Sequence, residues 1–87
     1  MWVASPIMTA QRTITVYTRQ GCHLCDDAIG VVRRVARGRA EIALVDIDAD
    51  PNLTERYTVR VPVVAVDGVE IAEYQVVPEQ LEAALAW

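Results

Sequence analysis

The sequence predicts an α/β fold in which one mixed, four-stranded sheet carries helices on both faces. Three observations lead there. A β-branched and aromatic run, Thr13–Thr18, is followed by apolar residues at helical spacing, and a second strand-like run follows that helix. Two strands joined by a helix lie parallel, with a right-handed crossover. Further on, Asp67-Gly68 separates two short apolar runs, the pattern of a tight antiparallel hairpin. The resulting element order is β-α-β-α-β-β-α.

Taken in order, residues 1–12 show no periodicity and read as a flexible leader, leaving 13–87 as the single domain. Met8 offers a second start, which would make residues 1–7 dispensable. After Thr13–Thr18, Arg19-Gln20-Gly21 forms a short turn. Cys25, Ala28, Ile29, Val32, Val35 and Ala36 then mark one helix face. Asp26 and Asp27 fall in its first turn and Arg33, Arg34 and Arg37 toward its end, a distribution that complements the helix dipole. Gly38 is placed to cap it. Glu41–Ile47 is the second strand. Asp50-Pro51 supplies an N-cap and a proline at the first helical position, opening a helix to about Tyr57. Val61–Val66 and Val69–Tyr74 form the hairpin, and Pro78 opens a last helix with Leu81, Ala84 and Leu85 on one side.

Composition removes several kinds of chemistry. All eight basic residues are Arg, so neither a Schiff-base lysine nor a phosphate-binding P-loop lysine exists. The only Ser, Ser5, lies in the leader, far from the only His, His23, which argues against a Ser-His-Asp centre. A net charge of −4 argues against nucleic acid as a partner. The basic cluster Arg33, Arg34, Arg37 and Arg39 reads as a solvated helix end. No apolar run has the ~20 residues of a membrane span, and the first residues lack the basic and apolar regions of an export signal. A cytoplasmic monomer with no membrane contact is expected.

The chemistry concentrates in Cys22-His23-Leu24-Cys25, where a strand ends and a helix begins. A cysteine at a helix N-terminus meets unpaired backbone N–H groups and the positive end of the dipole, which favour the thiolate. A second cysteine three residues on turns inward beside the first and can close a disulfide. One helical turn thus supplies a nucleophile, Cys22, and a resolving thiol, Cys25. A static disulfide and a half-complete metal site are the competing readings. The metal reading needs ligands from a second subunit or from glutathione, because no second cysteine pair exists. His23 is either a solvent-exposed helix-start residue or a residue that tunes the thiolate, with the nearby Asp26 charge opposing it. Pro62, in Arg60-Val61-Pro62, opens the third strand and cannot donate a ladder hydrogen bond. Local sequence alone favours a trans strand-edge proline. A cis bond would free backbone groups to pair with an extended substrate.

Thr18-Arg19-Gln20-Gly21-Cys22-His23-Leu24-Cys25, followed by Val61-Pro62 and the Asp67-Gly68 hairpin, resembles the glutaredoxin-like branch of the thioredoxin superfamily over roughly residues 13–86. The resemblance implies a thioredoxin-like fold, a cis Val61–Pro62 bond against the cysteines, Cys22 as nucleophile and Cys25 as resolving residue. It also marks departures. Gly21 and Val16 stand where thioredoxins carry a Trp and a buried acid. Arg19 matches the basic residue of glutaredoxins, but Ala72-Glu73-Tyr74-Gln75 replaces the Gly-Gly and Asp that seat glutathione's glutamyl end. Arg19, Arg60 and the Val61 backbone would hold the other end of glutathione or of another substrate, with Pro62 beside them.

The expected function is a dithiol thiol–disulfide oxidoreductase acting on protein disulfides and reduced by glutathione or by a flavoprotein reductase. No tightly bound cofactor and no metal are expected, and glutathione is expected only as a weak co-substrate. Two alternatives stay open from sequence: a metal or iron–sulfur handling protein using Cys22 and Cys25 across a dimer, and a redox-inert adaptor.

Overall fold

The computed structural model describes residues 12–86. Strand β1 spans Arg12–Thr18, helix α1 His23–Ala36 and strand β2 Ala40–Asp46. A 3₁₀ turn at Ile47–Ala49 leads into α2, Pro51–Tyr57; β3, Val63–Val66, and β4, Val69–Glu73, follow, and α3 is Pro78–Leu85. The sheet order is β2-β1-β3-β4, with β1 parallel to β2 and antiparallel to β3, and β3 antiparallel to β4. This is the mixed α/β sheet that the element order predicts.

The period-2 alternation of β1 decides which helix covers which face. Ile14 and Val16 point to one side, where they join Val64 and Val66 of β3, Ala28, Val32 and Ala36 of α1, and Leu81 and Ala84 of α3 in one buried cluster. Tyr17 and Val63 point to the other side, and there Ile47, Leu53 and Tyr57 cover them. All four residues of β3 are buried, because both of its faces are covered.

Some boundaries move for local reasons. The described strand takes in Arg12, one residue before the expected Thr13, and Asp67 of the hairpin holds both residues: Arg12 Nη1 donates to its Oδ2 at 2.9 Å and the Thr13 N–H to its Oδ1 at 3.0 Å. The rest of the expected leader, residues 1–11, lies outside the described residues. β3 starts at Val63 instead of Val61, since the Arg60 and Val61 N–H groups donate to the Tyr57 carbonyl at the end of α2 and Pro62 has no N–H. β2 stops at Asp46, whose carboxylate accepts the Asp48 N–H at 2.9 Å and turns the chain into the 3₁₀ segment.

The hairpin turn has positive φ at both Asp67 (50°) and Gly68 (88°), the backbone that an Asp-Gly pair adopts most readily. Between Val64 and Ala65 the register with β4 shifts: Val64 faces Ala72 and Ala65 faces Glu70, so Ile71 is an extra residue in the ladder. Tyr74, just past β4, has φ of 69°, unusual for a bulky side chain, and its N–H donates to the Pro62 carbonyl at 2.9 Å. α3 lacks a polar N-cap residue, so the Gln80 side chain reaches back to accept the Val77 N–H at 3.0 Å.

Leu81 is fully buried and ties α3 to the larger core cluster. Leu81→Ala should lower unfolding free energy by about 2–5 kcal/mol, whereas Val59→Ala, at a residue 74% exposed, should change it by less than ~0.5 kcal/mol. Urea denaturation of the two variants checks this difference.

Candidate functional site

The C-terminal end of β1 delivers the chain to the site. Thr18 is the last strand residue, and Gly21, at φ of 74°, turns the backbone so that Cys22 becomes the N-cap of α1. The Cys22 backbone is extended, and its Sγ accepts the Cys25 N–H at 3.1 Å, while its carbonyl accepts the Asp26 N–H at the same distance. The sulfur therefore occupies the place that an Asp or Ser oxygen usually holds at a helix start. Cys22 and Cys25 are joined in a disulfide, with Cα atoms 5.1 Å apart. Cys25 is fully buried, and Cys22 is partly exposed. His23 and Leu24 between them are exposed, and because the helix starts at His23 only Asp26 falls within its first turn.

Pro62 reaches the same end of the sheet by register. Val63 pairs with Tyr17, so Pro62 lies one step further along, level with Thr18. The Val61–Pro62 bond is cis, as the family resemblance implies, and Pro62 is buried while Val61 is half-buried.

The two arginines are directed differently. The Arg19 guanidinium grips Asp48 with two hydrogen bonds, Nε to Oδ2 at 3.1 Å and Nη2 to Oδ1 at 2.7 Å. Its Nη1 donates to the Thr58 Oγ1 at 2.8 Å. Arg60 bridges two carboxylates of β4, donating from Nε to Glu73 at 2.7 Å and from Nη2 to Glu70. It also lies over the Tyr57 ring, 5.3 Å from its centre, and that ring stacks on Tyr17. Both guanidiniums named from the sequence thus already have carboxylate partners. The hydrogen bond from Arg19 holds the Asp48 carboxyl below its ordinary range, and Arg60 does the same to Glu70. Burial, followed by the hydrogen bond to Glu70, pushes the Tyr57 hydroxyl up.

Sequence reasoning missed Asp48, Glu70 and Tyr57 as parts of this end of the molecule. A signal existed for Asp48: Asp46-Ile47-Asp48-Ala49-Asp50 carries three Asp in five residues, a residue type that favours turns over strands. Among the described residues, no three His, Cys, Asp or Glu side chains converge as a metal site. No helix among them is long and apolar enough to cross a membrane.

The family model for a Glutaredoxin-like domain (DUF836) matches residues 13–86, nearly the whole described chain. The protein belongs to this glutaredoxin-like family. An X-ray structure of the Northeast Structural Genomics target protein XcR50 from X. campestris is similar at 36% identity, covering 84% of this chain and 95% of that one with a TM-score of 0.71. Chloroplastic thioredoxin z is similar in fold at 14% identity and a TM-score of 0.71, over 95% of this chain and 82% of its own. The oxidised thioredoxin of Plasmodium falciparum is similar at 16% identity and a TM-score of 0.59, over 94% and 85%. No curated protein sequence matches the chain. A glutaredoxin-like member of the thioredoxin superfamily that closes a disulfide between Cys22 and Cys25 supports a redox-type function.

The ion pairs around the site carry a pH signature. Asp48, Asp67 and Glu70 are each held below their ordinary values, by Arg19, by the Thr13 N–H with Arg12, and by Arg60 respectively. The unfolded chain therefore binds more protons in that range. The stability these groups contribute is present above the ordinary carboxylate values and is lost as pH falls through the lowered ones. Carboxyl NMR titration should find Glu70 with a midpoint below the ordinary 4.5, and Arg60→Gln should return it upward toward that value. An unchanged Glu70 midpoint in the variant would contradict the pairing.

Proposed function

We propose that this glutaredoxin-like protein is a dithiol thiol–disulfide oxidoreductase that reduces protein disulfides, with Cys22 as nucleophile and Cys25 as resolving thiol. The observation that carries the reading is the Cys22 sulfur at the N-cap of α1, accepting the Cys25 N–H while partly exposed, beside a buried Cys25. A helix N-terminus favours negative charge on that sulfur, and its partial exposure lets a substrate reach it.

The reaction follows from this asymmetry. The Cys22 thiolate attacks one sulfur of the substrate disulfide, forming a mixed disulfide and releasing the other substrate sulfur as a thiolate. Cys25 then gives up its proton and attacks the Cys22 sulfur, which frees the second substrate sulfur and closes the Cys22–Cys25 disulfide. Two electrons pass to the substrate, its two thiolates take up protons, and either two glutathione molecules, which leave as their disulfide, or a flavoprotein reductase restores the pair. His23 tunes the thiolate from the first helical position, and the Val61–Pro62 segment offers backbone to an extended substrate. The protein works as a cytoplasmic monomer in cell redox homeostasis, without a resident cofactor.

Weak glutathione binding is part of the proposal. Arg19 and Arg60, the cations that would clamp an anionic ligand, are engaged with Asp48, Glu70 and Glu73. Ala72 and Glu73 stand where a backbone-lined glycine seat would be needed. Loss of one charge-assisted hydrogen bond costs on the order of 1.5–3 kcal/mol, or roughly ten- to a hundredfold in affinity.

Three measurements test the reading. In the reduced protein, iodoacetamide should alkylate Cys22 first and well below the ordinary thiol pKa of about 8.5; prior reaction at Cys25 would reverse the roles. Cys22→Ser should abolish disulfide turnover, and Cys25→Ser should accumulate a mixed disulfide. With glutathione, NMR titration of the oxidised protein should give no saturable shifts at Arg19, Val61 and Glu73 at low-millimolar ligand, and saturation there would restore an ordinary glutathione-binding member.

A further inference from the structure

Two concavities of different character border the start of α1, one taking in Leu24 and the other Gly21 and Asp26. One, of about 120 Å³, is lined by Leu24, Asp27, Val31, Gln75, Val76 and Val77. It lies between the outer stripe of α1, where Leu24, Asp27 and Val31 follow one another at helical spacing, and the segment that leads into α3. Leu24 and Val77 leave 41% and 47% of their surface uncovered, so its walls are aliphatic and open. Asp27 is its charged member.

The other concavity, on the Gly21 side, is lined by Thr18, Arg19, Gln20, Gly21, Asp26 and Asp46. Its one cation, Arg19, is held by Asp48. Asp26 and Asp46 therefore stand beside a guanidinium whose charge is already balanced. The basic residues of α1, Arg33 and Arg34, are in its last turn, at the far end of the helix from the cysteines. Neighbours of the two cysteines thus border both concavities: Leu24 lines the aliphatic groove, and Gly21 and Asp26 line the acidic one.

We infer that the aliphatic groove at Leu24, within the Cys22–Cys25 motif, docks an extended segment of a partner protein that carries an aliphatic side chain and an Arg or Lys next to its reacting cysteine. The inference rests on the oxidoreductase reading above and names its substrate class. Two features decide the occupant. An aliphatic side chain entering between Leu24, Val31, Val76 and Val77 removes apolar surface from water on both partners. A cation flanking it meets Asp27 on one side or Asp26 and Asp46 on the other, whereas an anionic thiol meets the same carboxylates with like charge. Glutathione, small and anionic, has neither match.

Four disulfides separate the alternatives, each reacted with the full-length reduced protein under pseudo-first-order conditions. Three are pentapeptides with a central cysteine bound to thionitrobenzoate, whose release is read by colour: Leu-Arg-Cys-Arg-Val, the same peptide with Glu for Arg, and the same peptide with Ser for Leu and Val. The fourth is 2-hydroxyethyl disulfide, small and neutral. The cationic aliphatic peptide should react about tenfold faster than the acidic one at low ionic strength, the gap shrinking at 0.5 M salt as the Debye length falls below about 5 Å. Asp26→Asn/Asp27→Asn should close most of the charge gap, and Leu24→Ser should close the gap between aliphatic and Ser peptides, each rate being divided by that variant's own 2-hydroxyethyl disulfide rate. Equal peptide rates with normal 2-hydroxyethyl disulfide turnover would overturn the docking inference and leave the oxidoreductase reading intact. Failure to turn over any of the four would overturn that reading, and this inference with it. A dimer in sedimentation velocity that Leu24→Ser converts to monomer would assign the groove to a second copy of the chain and overturn the inference.

Discussion

An α-helix leaves the N–H groups of its first turn without helical partners, and something must accept them. In this protein a sulfur does so. Because Cys22 is the N-cap and its Sγ accepts the Cys25 N–H, the position of the first cysteine is fixed by the same requirement that starts the helix. The rest of the molecule serves that junction. β1 in the middle of the sheet brings the chain there, Gly21 turns it, and α1 is anchored to the sheet by Ala28, Val32 and Ala36. The buried second cysteine is the first residue of that same anchoring stripe, so it packs into the fold while facing its partner.

Charge at this end is organised around pairs that are complete within the chain. Arg19 ties the loop before Cys22 to the 3₁₀ turn after β2, and Arg60 ties the residue before Val61-Pro62 to β4. Each such pair is partly solvated and adds little to stability by itself. Their greater effect is on shape and charge: they hold two loops next to the cysteines and leave the remaining aspartates to set the local field.

Much of this was legible from residues alone. The sheet, its three longer helices and the Asp67-Gly68 turn were readable because each rests on local chemistry: period-2 or helical spacing, a proline after an N-cap acid, a dipeptide that tolerates positive φ. The cysteine pair was readable for the same reason, since strand, turn and CxxC are contiguous. The directions of Arg19 and Arg60 were not. An exposed arginine can swing toward any acid within reach, and its choice depends on residues 29 positions away for Asp48, or 10 and 13 away for Glu70 and Glu73. Tyr74 was also hidden, because its positive φ follows from a tertiary contact with the Pro62 carbonyl and not from its own preference.

The extra residue in β4 has a geometric effect that substitution at that position would not reveal. In a regular strand, residues 70 and 73 are an odd number of steps apart and their side chains point to opposite faces. The irregularity at Ile71 shifts the phase by one, so Glu70 opposite Ala65 and Glu73 opposite Val63 share the face on which Tyr57 and Arg60 lie. The edge strand is therefore a phase corrector, and what it preserves is parity. Replacing Ile71 with another apolar residue keeps the count and both carboxylates on one guanidinium. Deleting it would turn one of them to the α1 side, and a loop at the redox end would lose half of its anchor through a change in arithmetic alone.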